Sequence, residues 1–238
     1  MIRPVKTLKP MPELQLNANL TRRVVIRPDD YNWVDSPAEG VRRMMLDRNG
    51  GEVARATSLV EYAPLSHFPK HTHGGGEEIL VLSGMFSDEH GHYPAGSYIR
   101  NPIGSSHSPQ IGAEGALLFV KLWQIAVGDT RRQLIQTKDA TWFQGMVPGL
   151  KVLPLHEHGT EHAALVRWAA NTQFNRHQHW GGEEIFVLEG TFYDEYGSYP
   201  TGSWIRSPHL SQHQPFTLED GALIWVKTGH LSSEQHSR

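Results

Sequence analysis

Short apolar segments recur along this chain, separated by glycine, proline and short polar stretches. Helical periodicity is scarce, and short strands at regular spacing with turns between them are typical of all-β sandwiches and barrels. The candidate strands form two matching sets, at 57–62, 78–82, 96–100 and 116–121 and at 163–168, 184–188, 202–206 and 222–227. Segments 88–91 and 194–197 are predicted to be the hairpin turns of the two sets. The pattern therefore predicts an all-β chain that uses one set of strands twice.

The two sets belong to an internal repeat with a constant offset of 106 residues. Residues 71–109 align with 177–215 without a gap, and 24 of these 39 positions are identical. A unit of this length is the size of a small domain and is too long for a solenoid repeat. We therefore predict two tandem domains, at 21–128 and 129–238, after an N-terminal arm at 1–20 that has no match in the second copy.

Composition narrows the classes of partner. The 238 residues carry a net charge of −3, no long basic run and no cysteine. Nucleic acid is therefore not an expected partner, and disulfide scaffolds, thiol catalysis and cysteine-type zinc fingers are excluded. The sequence shows neither a membrane span nor a signal peptide. We expect a cytoplasmic protein that binds a small molecule rather than nucleic acid or a membrane, and a homo-oligomer is compatible with the composition.

A histidine–glutamate motif is the main candidate for chemistry. It reads H-x-H-x3-E followed by a distant histidine, and it occurs once in each copy. The two sets are His71, His73, Glu77 and His107, and His177, His179, Glu183 and His213. Residues at i and i+2 of a strand face the same side, and three imidazoles with one carboxylate suit divalent Fe, Mn, Ni, Co or Zn. The return of all four ligands at one offset favours metal binding over solvated histidines and predicts two metal ions per chain, with positions open for catalysis.

Several other polar residues have two interpretations. Arg100 and Arg206 are equivalent, and an outward salt bridge is favoured over an anchor for an anionic substrate. Glu78 and Glu184 directly follow the ligand glutamates, face away from the metal on a strand, and are predicted to make a structural hydrogen bond or ion pair. No further catalytic residue is assigned.

Two features distinguish the second copy. A histidine cluster without equivalents in the first copy is expected to be solvent-exposed, and it comprises His156, His158 and His162. Trp180 replaces Gly74 and Leu210 replaces Gly104 beside the ligands. If these larger side chains lie next to the metal, the first domain has the roomier site. The alternative is that both side chains point outward.

The repeated motifs resemble those of the cupin superfamily. H-x-H-x3-E-x6-G, ending at Gly84 and Gly190, resembles the first cupin motif, and the segment from Gly96 to His107 resembles the second. The run 71–78 is most similar to the ChrR-type cupin domain. The resemblance covers nearly the whole chain and implies a double-stranded β-helix (jelly-roll) in each half, with one metal in each ligand set. The anti-sigma domain that precedes the cupin domain in ChrR has cysteine ligands, and this chain has none.

Two classes of function follow from the resemblance. Related cupin domains include non-haem dioxygenases that cleave carbon–carbon bonds of diketones and hydroxyaryl ketones, which implies a metal-dependent enzyme. The alternative is a ChrR-type module that senses a ligand or oxidant through its metal and reports to a partner. A sensor usually needs an output domain, and the 20-residue arm is too short to be one. The enzyme interpretation is therefore favoured.

Overall fold

The computed structural model describes residues 13–51 and 53–231. Within these ranges the chain is almost entirely β-structure, with one short 3-10 helix at Pro28–Asp30 and no α-helix. The all-β prediction is confirmed. Residues 1–12 of the predicted arm lie outside the described ranges. In the described part of the chain, no helix has the length and apolar character needed to cross a membrane.

Twenty-one strands follow one another in residues 13–51 and 53–231. The first twelve are β1 (Leu14–Leu16), β2 (Val24–Ile26), β3 (Trp33–Asp35), β4 (Val41–Gly50), β5 (Ala54–Tyr62), β6 (His71–Thr72), β7 (Glu77–Asp88), β8 (Gly91–Pro94), β9 (Ser97–Asn101), β10 (Ser106–His107), β11 (Gln110–Leu122) and β12 (Gln133–Gln136). The remaining nine are β13 (Phe143–Gln144), β14 (Leu150–His158), β15 (Glu161–Trp168), β16 (His177–Gln178), β17 (Glu183–Asp194), β18 (Gly197–Pro200), β19 (Trp204–Ser207), β20 (Gln212–His213) and β21 (Ala222–Thr228). Every strand predicted from the sequence overlaps one of these.

The described residues divide into two compact units. Unit 1 comprises 13–18 and 32–134, and unit 2 comprises 19–31 and 135–231. The main sheet of unit 1 has the order β1-β4-β5-β11-β7-β9-β12, with β3 beside β4 and β8 beside β7. The main sheet of unit 2 has the order β13-β14-β15-β21-β17-β19-β2, with β18 beside β17. Each unit also has a two-stranded ribbon, formed by β6 and β10 in unit 1 and by β16 and β20 in unit 2.

The segment before the first repeat completes the second sheet. Strand β2 pairs antiparallel with β19, with Val24 opposite Arg206 and Ile26 opposite Trp204. Residues 19–31 therefore belong to the compact unit formed by the second half of the chain. The domain boundaries at 21–128 and 129–238 are inferred from sequence similarity and stay a prediction. Similarity marks copied sequence, whereas a sheet edge is satisfied by any strand that can reach it.

The alternation of side chains along the strands defines one interior face in each unit. In unit 1, Ile79, Val81, Ile99 and Val120 belong to one buried apolar cluster. Glu77 is the first residue of β7 and shares the face of Ile79, because residues two apart on a strand point to the same side. A carboxylate is thereby placed at the edge of an apolar interior. The same alternation puts Glu183 on the face of Ile185 in unit 2.

Candidate metal centres

In unit 1, the small ribbon places two of the predicted ligands side by side. His71 on β6 is paired in register with His107 on β10. The loop from His73 to Glu77 then carries the chain onto β7. A Cβ on Gly75 would lie 2.3 Å from Cδ2 of Trp123, and Gly76 has φ +74. These positions need glycine because the Trp123 ring covers the loop and because a left-handed turn is required before β7.

The three imidazoles of unit 1 surround a common point. Their ring centroids are 4.8 to 4.9 Å apart, and one ligand nitrogen from each of the three lies within 4.8 Å of the others. Glu77 Oε2 lies 3.3 Å from His73 Nε2 and 3.6 Å from His107 Nε2. The carboxylate therefore borders the cluster on the side of two of its histidines. Asn101 Nδ2 donates a hydrogen bond of 3.1 Å to the same oxygen.

Unit 2 brings all four of its predicted ligands together. His177 is paired in register with His213, and the ligand atoms of His177, His179, Glu183 and His213 all lie within 4.8 Å of one another. The Nε2 atoms of His179 and His213 are 3.0 Å apart. Glu183 Oε2 lies 3.4 Å from the first of these nitrogens and 3.5 Å from the second. Ser207 stands where unit 1 has Asn101, at the β19 position opposite the ligand glutamate.

The polar atoms at both centres fit a cation. Nε2 of His73, Nε2 of His107 and Oε2 of Glu183 are buried without a hydrogen-bond partner. Burying unpaired polar atoms is costly, and such atoms converging on one point require an ion, a water or a shared proton. Nitrogen and carboxylate donors in this number suit a divalent transition metal. Metal binding itself stays a prediction.

Burial keeps most of these histidines neutral. It lowers the pKa of His73 to about 4, with a smaller contribution from the neighbouring His71, and it also lowers the pKa of His107. Burial likewise lowers the pKa of His177 and His179. His213 differs: burial opposes its charged form, but the carboxylates of Glu183 and Asp194 outweigh burial and raise its pKa. A neutral imidazole offers the lone pair that a metal needs.

Acidification is therefore expected to empty unit 2 at a higher pH than unit 1. A proton competes with the metal for His213 at higher pH because the pKa of this group is raised, whereas the lowered pKa values of His73 and His107 delay protonation. Metal content would be measured after dialysis at a series of pH values between about pH 7 and about pH 4. This range covers the pKa of free imidazole, which is about 6.5. His107→Ala isolates the unit 2 site and His213→Ala isolates the unit 1 site. Retention by both variants at pH 4, or loss from unit 1 first, would contradict the expectation.

An aspartate behind each candidate centre contacts one of the predicted ligand histidines. Asp88 Oδ2 lies 3.2 Å from His107 Nδ1, and its Oδ1 accepts hydrogen bonds of 2.8 Å from Tyr93 Oη and from the His90 backbone N–H. These hydrogen bonds and that from His107 outweigh burial and lower the pKa of Asp88, so the group stays ionised. The carboxylate can then hold Nδ1–H, which leaves Nε2 free to face the centre.

Unit 2 repeats this arrangement, and each aspartate has an arginine beside it: in unit 1, Arg132 Nη2 donates a hydrogen bond of 3.2 Å to Tyr93 Oη and lies 4.0 Å from Asp88 Oδ2. Asp194 Oδ2 lies 3.6 Å from His213 Nδ1 and 3.1 Å from Arg23 Nη2, and its Oδ1 accepts a hydrogen bond of 2.6 Å from Tyr199. The sequence predicted only hairpin turns here, and β7–β8 and β17–β18 confirm those turns. One sequence feature could have indicated the contact of these aspartates with the histidines: Asp88 and Asp194 occupy equivalent positions in the two copies. A turn explains the glycine that follows but does not require the aspartate.

Replacing Asp88 with asparagine is expected to weaken metal binding in unit 1 about tenfold to a hundredfold, because the second partner of a ligand histidine sets its tautomer and basicity. Affinity would be measured by chelator competition in a His213→Ala background, which leaves one site. Asp194→Asn in the same background is the matched control, since it acts on the disabled unit and should leave unit 1 affinity unchanged. Equal affinities for Asp88→Asn and its parent would exclude this role.

The arginines and glutamates for which the sequence allowed two roles make mostly structural contacts. Arg100 is fully buried and pairs with Asp129 at 2.7 Å and with Glu78 at 3.7 Å. A salt bridge is confirmed for Arg100, but it is buried rather than outward. Glu78 accepts a hydrogen bond of 2.6 Å from Tyr98 Oη, as predicted for this position. In unit 2, Glu184 accepts one of 2.8 Å from Trp204 Nε1, and Arg206 donates one of 3.2 Å to the carbonyl of Asn19.

The exposure predicted for one histidine is wrong. His156 is buried, with 5% of its surface exposed, whereas His162 is exposed and His158 is intermediate. The strand pairing of β14 shifts register between Pro154 and His156. Such a bulge inserts one residue and changes which face the following side chains occupy. Simple alternation therefore misplaces His156.

The two large replacements in the second copy point outward. Trp180 is 73% exposed and Leu210 is 42% exposed. The Trp180 ring packs against His209, with ring centroids 5.4 Å apart. The outward alternative is the one observed, and these two residues do not narrow the metal centre of unit 2.

Comparisons with known proteins identify the family. The family model described as the ChrR cupin-like domain matches the chain twice, at residues 21–126 and 130–232. No curated protein sequence matches the chain.

Solved structures show the same fold at low sequence identity. A proposed dioxygenase from Nostoc punctiforme is 16% identical with a TM-score of 0.67, and the alignment covers 91% of this chain and 83% of that one. The oxalate decarboxylase of Lactobacillus farciminis, solved with formate, is 12% identical over 87% of this chain and 86% of its own, with a TM-score of 0.64. The nickel(II)-bound pirin YhhW of Escherichia coli is 14% identical over 87% and 99%, with a TM-score of 0.62. This chain is therefore a bicupin that belongs to the ChrR cupin-like family and carries its domain once in each half.

Proposed function

We propose that this bicupin is a metal-dependent enzyme of the dioxygenase or a related type that acts on a small organic substrate, such as a diketone or an aryl ketone. The observation that carries the proposal is the form of the two centres. In unit 1, three residues of the centre are buried and His71 is exposed; the buried ones are His73, Glu77 and His107. In unit 2, His177 is half-buried and the other three are buried, namely His179, Glu183 and His213. A centre that is buried on one side and open on the other can hold a metal and still admit a ligand.

The residues around the centre have distinct tasks in this proposal. A divalent metal held there would activate dioxygen or polarise a carbonyl group as a Lewis acid. His73, His107 and Glu77 supply ligand atoms, Asp88 orients His107 and Asn101 orients Glu77. The apolar side chains of the interior cluster exclude bulk water, which strengthens electrostatic interactions with a bound substrate.

The similar structures support this direction without deciding the chemistry. One of them is described as a proposed dioxygenase, one binds formate and one binds nickel(II). Their sequence identities to this chain are 16% or lower, so they establish a shared fold and leave the substrate open. The cytoplasm is the location that we infer from the composition.

A metal-dependent sensing module is the second candidate. The match to the ChrR cupin-like domain over both halves of the chain favours it. In this alternative the same centres bind a ligand or oxidant without turnover and report through a partner. The two candidates predict the same metal content and differ only in whether a bound substrate is converted.

Oxygen consumption by the metal-loaded protein tests the proposal. Protein loaded with Fe(II), Mn, Ni, Co or Zn would be mixed with β-diketones and hydroxyaryl ketones, and products would be identified by mass spectrometry. The His73→Ala, His179→Ala double variant, which loses one ligand from each centre, is the control and is expected to be inactive. Ligand binding without turnover for every metal would favour the sensor. A protein that binds none of these metals would exclude both candidates.

A further inference from the structure

An arginine lies on the interior face of unit 1 at a position where unit 2 has a valine. On β4, Arg43 pairs in register with Val60, and Val60 belongs to the interior apolar cluster. Cross-strand partners share a face of the sheet, so Arg43 lies on the interior side. Val152 pairs with Val166 at the corresponding place in unit 2. The difference replaces an apolar position with a guanidinium on the face that carries the metal ligands.

A phenol lies on the same face of unit 1. Tyr62 packs against the interior cluster, with its ring centroid 5.0 Å from that of Phe68 and 6.2 Å from that of Phe86. The Phe86 ring is in turn 5.9 Å from the ring of His107. Tyr62 is therefore separated from a predicted metal ligand by a single aromatic side chain. Trp168 occupies the equivalent position in unit 2, where it packs 5.3 Å from Phe192.

The charges around Tyr62 link it to both Arg43 and the metal centre. Burial raises the pKa of the Tyr62 phenol, the carboxylate of Glu77 raises it further, and the guanidinium of Arg43 acts in the opposite direction. The phenol therefore stays protonated and remains a hydrogen-bond donor. The strand register brings the two residues to one face, because Val41 pairs with Tyr62 and Arg43 with Val60 on the adjacent strands β4 and β5.

Arg43 has no partner of its own among the described residues. Its side chain is half-buried, and its one interaction is the electrostatic effect on Tyr62. The adjacent Arg42 is different, because its Nε donates a hydrogen bond of 2.8 Å to Glu61 on the exposed face. A partly desolvated guanidinium without a counter-ion is suited to bind an anion, and its planar donors match two oxygens of one group.

We propose that Arg43 and Tyr62 form an anion subsite in the interior of unit 1 that binds the carboxylate or enolate oxygens of the substrate, and that unit 2 lacks this subsite. The inference rests on the proposed function, since it names the substrate class of the unit 1 centre. Arg43 supplies the charge and Tyr62 a neutral donor. Val152 offers no donor in unit 2, and Trp168 offers only an indole N–H, which is buried without a partner.

Anion titrations of a protein with one metal centre test the subsite. Cobalt(II)-loaded His213→Ala would be titrated with oxalate as the carboxylate and with acetylacetonate as the enolate, and binding would be followed by the visible cobalt bands and by calorimetry. Arg43→Met is expected to weaken the binding of at least one of these anions about tenfold or more, and Tyr62→Phe about threefold or more. Arg43→Lys should restore part of the loss. Cobalt affinity should be unchanged in all three variants.

Arg42→Met is the matched control, because it removes the same charge from the neighbouring residue on the opposite face. The proposal would be overturned if Arg43→Met bound oxalate and acetylacetonate with affinities within about twofold of the parent. It would also be overturned if Arg42→Met and Arg43→Met lost equal affinity for these anions. The same titrations on metal-free protein separate a failure of the anion subsite from a failure of the proposed metal-dependent function. If the protein binds no cobalt, the proposed function fails. The metal-free titrations then decide on the subsite alone, and it is excluded if they show no anion binding that depends on Arg43.

Discussion

Protein loaded with excess divalent metal is expected to contain two metal equivalents per chain. His107→Ala and His213→Ala are each expected to reduce this content to one, and the double variant to almost none. Each histidine is buried in its centre and presents Nε2 to the ligand glutamate, at 3.6 Å in unit 1 and 3.5 Å in unit 2. Removing it takes away one of the four predicted ligand atoms and leaves a cavity that a hydrogen-bonding water can occupy. Elemental analysis after desalting measures the content.

The single variants control for one another, since each preserves the ligand set of the other unit. Circular dichroism and thermal unfolding would verify that both remain folded. Metal should raise the unfolding temperature of the parent, because a ligand that binds only the folded state stabilises it. A content of one equivalent in the parent, lost in only one of the two variants, would contradict the presence of two centres. Two equivalents retained in either variant would contradict ligation by that histidine.

Turnover of any substrate that is found is expected to fall about a hundredfold or more in His107→Ala and less than about threefold in His213→Ala. Loss of a metal that takes part in catalysis removes several kcal/mol of transition-state stabilisation, and about 2.7 kcal/mol already corresponds to a hundredfold. Unit 1 carries the interior Arg43, and Asn101 holds its ligand glutamate at 3.1 Å. Unit 2 has Val152 and Ser207 at these positions. At these two positions the guanidinium and amide donors that could position a polar substrate are therefore in unit 1.

Steady-state kinetics on metal-loaded variants would measure this asymmetry, with turnover expressed per bound metal. Arg42→Met, which leaves both centres and the interior face intact, serves as the control for general effects on the fold. A larger loss in His213→Ala than in His107→Ala would refute the assignment of activity to unit 1. Equal losses would mean that the two units work equally and that the difference at Arg43 has no catalytic consequence.

Much of the fold, and the residues that form the two candidate metal centres, could be predicted from the sequence for local reasons. Strand alternation and turn residues depend on neighbours along the chain, so the matched strands and the two hairpin turns appear in the residue pattern. The repeat then indicated two copies of one domain. His71 and His73 share a side through their i, i+2 spacing, and His107 was included because its counterpart returns at the same offset. The approach of Glu77 and His107 to 3.6 Å required the pairing of β6 with β10.

What only the tertiary structure decided concerns contacts between residues far apart in sequence. Asp88 reaches the ring of His107 across 19 positions, Arg23 reaches Asp194 across 171, and β2 joins the sheet of the second half of the chain. The side that His156 faces depends on a bulge, and the direction of Trp180 depends on the loop that carries it. Sequence by itself determined the strand pattern, the repeat and the set of candidate ligands, because these follow from residue type and spacing. The partners that orient the ligands, and the interior face that Arg43 shares with the metal centre, depend on strand pairing that no local pattern encodes.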